Sequence, residues 1–221
     1  PFWLYKSMKV KLTIPTSLSD IKLSQYQKFI RTTKDSEDDS FIARQIIGIF
    51  CDITDNVVGQ IKAKDFEDIV VSITEVLNTK PAFVDRFTLD GVRYGFIPKI
   101  EDITVDEKAD LDTFLADVTK MDKAMAVMYR PITTETKRGY LVEEYVGEGK
   151  SLDVSLDVAF GANFFLSNLM RDLLSYTQNY IAAQVEHSPK VSQTLEANGV
   201  GTQAFMLSLN QILDDLKILP N

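Results

Sequence analysis

The stretch FTLDGVRYGF, residues 87–96, decides the part of the fold that the sequence specifies most sharply. Its central Asp90-Gly91 pair is a two-residue turn that requires positive φ, and alternating apolar residues lie on both sides of it. In the register that such a turn imposes, Phe87 opposes Tyr94 and their side chains share one face. The stretch therefore predicts a β-hairpin with one buried face.

The segments on both sides of the hairpin have helical periodicity. Apolar residues recur every three or four positions between residues 66 and 77, and again between 111 and 128. A second alternating run, residues 10–14, predicts a strand near the N-terminus. The expected fold class is α+β and predominantly helical, with an N-terminal strand and a β-hairpin around Asp90-Gly91.

The start of one helix and the division of the chain can also be predicted. Thr104 and Glu107 have the spacing of a capping box, in which each side chain accepts a hydrogen bond from the other residue's backbone N–H. The glycines and charged residues at 147–150 form the best internal break. We expect a helical domain with the strand and hairpin over residues 1–146 and a C-terminal helical segment over 147–221, or both packed as one domain.

Composition and charge argue against several classes of function. The chain has 221 residues, 45% hydrophobic and 25% charged, as is typical of a globular protein with a core. A net charge of −8 without clusters of Lys or Arg argues against nucleic-acid binding. The apolar runs are too short for a membrane span, so no membrane partner is expected. With Cys51 and His187 as the only cysteine and histidine, the usual zinc sites are excluded, and no metal or cofactor is expected.

Paired carboxylates are the main arrangement that could indicate catalysis or small-molecule binding. Asp153 and Asp157 are four positions apart and can share a helix face. An active site would require them to converge with Glu143, Glu144 or His187 in a concave pocket. The alternative is that they are solvated side chains near a helix N-terminus, where negative charge is favourable. This second interpretation predicts that the protein is not an enzyme.

Several groups of apolar side chains fit either a core or a contact surface. Methionines at helical spacing can fill a core or form an adaptable groove for a partner helix. Large apolar residues near the N-terminus can fold back on their own domain or dock on a neighbour. The candidate partner-binding residues, with two from the last amphipathic helix, are Phe2, Trp3, Leu4, Tyr5, Met121, Met125, Met128, Phe205 and Leu209.

Five short stretches, taken together, resemble a known class of protein. They are KVKLTIPTSLSDIKLSQYQKF (9–29), YGFIPKIEDIT (94–104), DLDTF (110–114), KAMAVMYRPI (123–132) and NGVGTQAFM (198–206). Their combination is similar to proteins encoded among the structural genes of tailed bacteriophages. Some of these resemble tail assembly chaperones, helical proteins that hold the aggregation-prone tape-measure protein during tail construction.

The resemblance implies a non-enzymatic phage assembly or structural protein. It would act by protein–protein contacts with other phage structural proteins, as a homo- or hetero-oligomer, in the host cytoplasm or the virion. A tail assembly chaperone is one form of this expectation, and a stable virion component, such as a head–tail connector or a packaged cargo protein, is the alternative. A further alternative is a small-molecule-binding protein or enzyme that uses Asp153 and Asp157. The resemblance transfers no catalytic residue, metal ligand or cofactor.

Overall fold

The computed structural model describes residues 12–99, 103–137, 139–147 and 150–169. Over these residues the fold is α+β and predominantly helical, as the sequence predicts. The chain divides into two compact units between Gly161 and Ala162. The first unit therefore extends beyond the break that the sequence places at 147, and it contains the sheet, the hairpin and the helices named below.

Four helices form the first half of this unit. They are α1 (Leu23–Thr33), α2 (Asp39–Phe50), α3 (Asp55–Val58) and α4 (Ala63–Leu77). Asp38 caps α2, because its carboxylate accepts hydrogen bonds from the backbone N–H groups of Ser40 and Phe41 at 2.9 and 3.2 Å. The apolar faces of α2 and α4 enter the core, where Ile47 and Ile73 are completely buried.

The sheet is antiparallel, with strand order β1-β2-β3-β4. Its strands are β1 (Arg86–Leu89), β2 (Val92–Phe96), β3 (Tyr129–Thr136) and β4 (Gly139–Val142). The predicted hairpin is confirmed: Phe87 pairs with Tyr94, and Asp90 and Gly91 have φ values of 49° and 81°. The positive φ of both turn residues explains why the turn contains Asp-Gly.

Two further helices, α5 (Val105–Leu115) and α6 (Met121–Met128), follow β2 and precede β3 in the sequence. The predicted capping box at the start of α5 is confirmed. The backbone N–H of Thr104 donates to Glu107 Oε2 at 2.6 Å, and the backbone N–H of Glu107 donates to Thr104 Oγ1 at 3.2 Å. Helix α6 continues directly into β3 at Tyr129, so the helix and the sheet are joined without a loop.

One face of the sheet carries a cluster of aromatic rings. Phe87 stacks on Tyr94 with ring centroids 5.6 Å apart. The ring centroids of Phe87 and Phe96 lie 5.1 and 5.2 Å from that of Tyr129, both in edge-to-face arrangements. The Tyr129 hydroxyl donates to the carbonyl of Val84 at 2.6 Å. Burial raises the pKa of this hydroxyl. The cluster fixes the hairpin to the junction of α6 and β3.

Strand β4 bends back over the opposite face of β2. The ladder between β3 and β4 is irregular between Ile132 and Thr134, as at a β-bulge, which bends a strand. The Tyr140 ring then lies over Gly95, where any side chain would collide with it. The Tyr140 hydroxyl donates to the carbonyl of Phe96 at 2.8 Å, which holds the ring in place.

An extended segment, residues 150–155, closes the core beside α1. The backbone N–H of Leu23 donates to the carbonyl of Val154 at 2.8 Å, and that of Leu156 donates to the carbonyl of Ile21 at 2.9 Å. Val154 and Leu156 are buried, and residues 156–169 are helical. The segment thus belongs to the same core as the helices of the first half.

The N-terminal strand is absent where the structure can be compared with the prediction. Residues 12–16 have no regular secondary structure, and residues 10 and 11 lie outside the described part of the chain. The predicted alternation is present in the burial of Leu12, Thr13 and Ile14, of which only Thr13 is exposed. No described strand pairs with these residues, so the alternation reflects packing on one side without a hydrogen-bonded ladder.

Candidate functional site

A cavity of about 420 Å³ lies between the aromatic face of the sheet and helices α5 and α6. Tyr94 and Tyr129 line it from the sheet, and Phe114 and Val127 line it from the helices. Its other side is formed by residues 143–147 and 150–152, which follow β4. The volume and the aromatic walls are typical of sites that accept a small ligand or a side chain. This feature is referred to below as the sheet–helix cavity.

Charged side chains line the remainder of the sheet–helix cavity. The ammonium group of Lys123 lies 5.5 Å from the centroid of the Phe114 ring, a cation–π arrangement. Lys123 forms no salt bridge with any residue that the structure describes. The ammonium group of Lys150 lies 4.0 Å from a carboxylate oxygen of Glu143, which is too far for a hydrogen bond. Glu144 also lines the cavity, and both glutamates are exposed.

Arg130 lines the same cavity and is held by a buried ion pair. Its Nη1 lies 2.9 Å from Glu107 Oε1, and the two side chains are only 13% and 6% exposed. The other oxygen of Glu107 accepts the backbone N–H of Thr104, so one carboxylate caps α5 and also neutralises Arg130. Arg130 Nε is buried and has no hydrogen-bond partner among the described residues. The guanidinium therefore has one unused donor at its buried edge.

Three large apolar side chains, one at the start of α5 and two in or just after β4, are exposed. Val105, Leu141 and Val146 are 84%, 64% and 70% exposed. Val146 lines a cavity between residues 145–147 and α5, and Leu141 lines another with Ile97. These three residues are referred to below as the β4 edge surface.

Segment 143–147 is attached to α5 by a side-chain hydrogen bond. The hydroxyl of Tyr145 donates to Asp110 Oδ2, and Val105 lies in the first turn of the same helix. The first half of α5 and residues 145–147 therefore line one outer cavity together.

The predicted pair of carboxylates does not form a site with the neighbouring glutamates. Both oxygens of Asp153 accept hydrogen bonds from Ser24, one from the backbone N–H and one from the hydroxyl, each at 2.8 Å. Asp157 Oδ1 is buried, and none of the residues that the structure describes forms a hydrogen bond with it. Neither aspartate lines the cavity that Glu143 and Glu144 line. Among the described residues, no group of three His, Cys, Asp or Glu side chains could hold a metal ion.

The structure corrects the expectation that the methionines form a groove for a partner. Met121, Met125 and Met128 are all buried in the core of the first unit. Helical spacing places them on one face of α6, and that face is covered by the protein itself rather than left open. The alternative interpretation, that these methionines fill the core, agrees with the structure.

The remaining predicted contact residues lie outside the described part of the chain. This applies to the N-terminal and C-terminal groups, which are Phe2, Trp3, Leu4, Tyr5, Phe205 and Leu209. Their assignment to a partner-binding surface stays a prediction. His187, considered as a possible active-site partner of Asp153 and Asp157, also lies outside the described residues.

Cys51 is a buried side chain at the end of α2. Burial raises the pKa of its thiol to about 11. Since the thiolate is the reactive form, this cysteine is a poor nucleophile near neutral pH.

Sequence reasoning missed the Arg130–Glu107 pair and the sheet–helix cavity. The available signal was a single Arg in the otherwise apolar run MAVMYRPI, residues 125–132. A charged residue between two buried segments requires a partner, because an unpaired charge is costly to bury. That signal identifies Arg130 as paired but does not identify Glu107.

In the described part of the chain, no helix combines the length and apolarity needed to cross a membrane.

The comparisons with other proteins add no relative from which a role could be transferred. No protein-family model matches the sequence, and no curated protein or solved structure shows significant similarity to it.

Proposed function

We propose that this chain is a non-enzymatic assembly or structural protein of a tailed bacteriophage that acts through protein–protein contacts. The observation that best supports a contact role is the β4 edge surface. Single exposed apolar residues are ordinary on protein surfaces. Leu141 and Val146, however, each line a cavity, and they lie in or just after β4, an edge strand that could accept a further strand. Val105 lies between Thr104 and Asp106, which line the same cavity as Val146.

The chemistry of the described residues gives less support to a catalytic role. Asp153 is occupied in fixing the start of α1, and the raised pKa of Cys51 keeps its thiol protonated near neutral pH. The two glutamates that line the sheet–helix cavity, Glu143 and Glu144, are exposed to solvent. A contact surface is therefore the more economical proposal.

The test is capture of phage structural proteins from cells that produce the phage. A tagged Leu141→Lys, Val146→Lys double variant should capture much less of these proteins than the wild type, because two charges would have to be buried in the contact. Val71→Lys is the matched control, since Val71 is 56% exposed on α4 and lies outside the β4 edge surface. Equal capture by the double variant, with an unchanged urea midpoint, would contradict the proposal.

Mass spectrometry of purified virions separates the two forms of the proposal. A tail assembly chaperone is released before the particle is complete, so it should be missing from virions and should capture the tape-measure protein in cells. A connector or packaged protein should instead be present in virions at a fixed ratio to the other structural proteins.

A further inference from the structure

We propose that the sheet–helix cavity receives an apolar side chain and a neighbouring carboxylate from a partner-protein segment that lies along the β4 edge surface. This inference rests on the proposed function and specifies the chemistry of the partner. The cavity of about 420 Å³ is lined by Tyr94, Phe114 and Tyr129. Phe114 and Tyr129 are almost completely buried, so the half-buried ring of Tyr94 is the one that an entering apolar group would meet.

The charges that line the sheet–helix cavity favour an acidic partner group. Lys123 is half-buried over the Phe114 ring and has no carboxylate partner among the described residues. Lys150 is only loosely paired with Glu143, at 4.0 Å. Glu143, Glu144 and Lys150 are all exposed and screened by water, so the half-buried Lys123 is the main charge that an entering carboxylate would meet. An entering carboxylate would therefore gain charge-assisted hydrogen bonds that no described residue supplies.

The sheet–helix cavity and the β4 edge surface are continuous, which favours a peptide segment over a small molecule. Tyr145, Val146 and Gly147 line the sheet–helix cavity and also line the outer cavity against α5. Arg130 lines the sheet–helix cavity and the cavity beside Leu141. A segment on the edge can thus place one side chain inward while its backbone stays on the edge.

The test is an NMR titration of the ¹⁵N-labelled full chain with three blocked tetrapeptides, Ser-Trp-Glu-Ser, Ser-Trp-Gln-Ser and Ser-Gly-Glu-Ser. The first should bind about tenfold more tightly than either of the others and should shift the amide signals of residues 123–131 and 143–147. Lys123→Gln should abolish the preference for Glu over Gln. The matched control Lys64→Gln, an exposed position on α4, should retain it.

Two outcomes would overturn the inference. One is equal binding of the Glu and Gln peptides to the wild type, and the other is the absence of binding by all three peptides. Failure of this inference can be distinguished from failure of the proposed function. If the peptides do not bind but the Leu141→Lys, Val146→Lys variant still loses capture of phage proteins, only the cavity assignment fails. If capture is unchanged, the contact surface itself is wrong.

Discussion

Glu107→Gln is expected to destabilise the protein strongly, because it leaves the Arg130 guanidinium buried without its counter-charge. The two side chains are 6% and 13% exposed, with Glu107 Oε1 and Arg130 Nη1 2.9 Å apart. Removing one partner of such a pair costs about 3–5 kcal/mol. Gln also occurs at this position of capping boxes and can still accept a hydrogen bond from the Thr104 N–H, so the cap is retained. The decrease in the free energy of unfolding therefore measures the effect of removing the negative charge. Against a total stability of about 5–15 kcal/mol, this loss is large.

Urea unfolding followed by circular dichroism measures this loss, and two further variants assign it. Thr104→Ala removes only the cap's side-chain acceptor and should cost about 1 kcal/mol. Combining Glu107→Gln with Arg130→Met should recover most of the stability, since a buried ion pair replaced by uncharged groups is often nearly neutral. A loss below 1 kcal/mol for Glu107→Gln, or a double variant no more stable than Glu107→Gln alone, would refute this account of the pair.

Three other predictions test the packing by the same urea or thermal measurements. Gly161→Ala places Cβ 2.5 Å from the backbone carbonyl oxygen of Ala82 and should cost about 1–3 kcal/mol. Gly48→Ala meets no atom closer than 3.4 Å and should gain up to about 1 kcal/mol from helix propensity, so equal effects of the two changes would contradict the geometry. Met125→Ala should cost about 2–5 kcal/mol, and an unchanged midpoint would show that this methionine is not a core residue. Burial raises the pKa of the Cys51 thiol from 9.0 to about 11, so its contribution to stability is complete below pH 9 and is lost as the pH rises through 11. Cys51→Ala should therefore reduce the fall in melting temperature over that pH range.

The features that the sequence predicted correctly depend on residues close together in the chain. The Asp90-Gly91 turn imposes its own register, and the Thr104–Glu107 box needs only a three-residue spacing. Both are determined by local backbone geometry, so no knowledge of the tertiary fold was required.

Periodicity identified an apolar face correctly but could not identify what covers it. The spacing of Met121, Met125 and Met128 places them on one side of α6 in either interpretation. Their burial depends on contacts with parts of the chain that the spacing does not reveal; one such part is segment 150–155, whose Leu152 N–H donates to the Asp122 carbonyl of α6 at 2.9 Å. The alternation at residues 10–14 likewise identifies a buried side but not a neighbouring strand, and a β-strand requires another strand that pairs with it.

The coupling between Glu107 and the β4 edge surface could not be predicted, because it joins residues that are distant in the chain. Glu107 fixes the first turn of α5 through Thr104, and Val105 projects from that turn. The same carboxylate holds Arg130, which lines the sheet–helix cavity and the cavity beside Leu141. Since one buried side chain fixes both the helix turn that carries Val105 and an arginine in the wall of the cavity, this part of the proposed surface is anchored to the core. Partner binding should therefore require little rearrangement of this side of the domain.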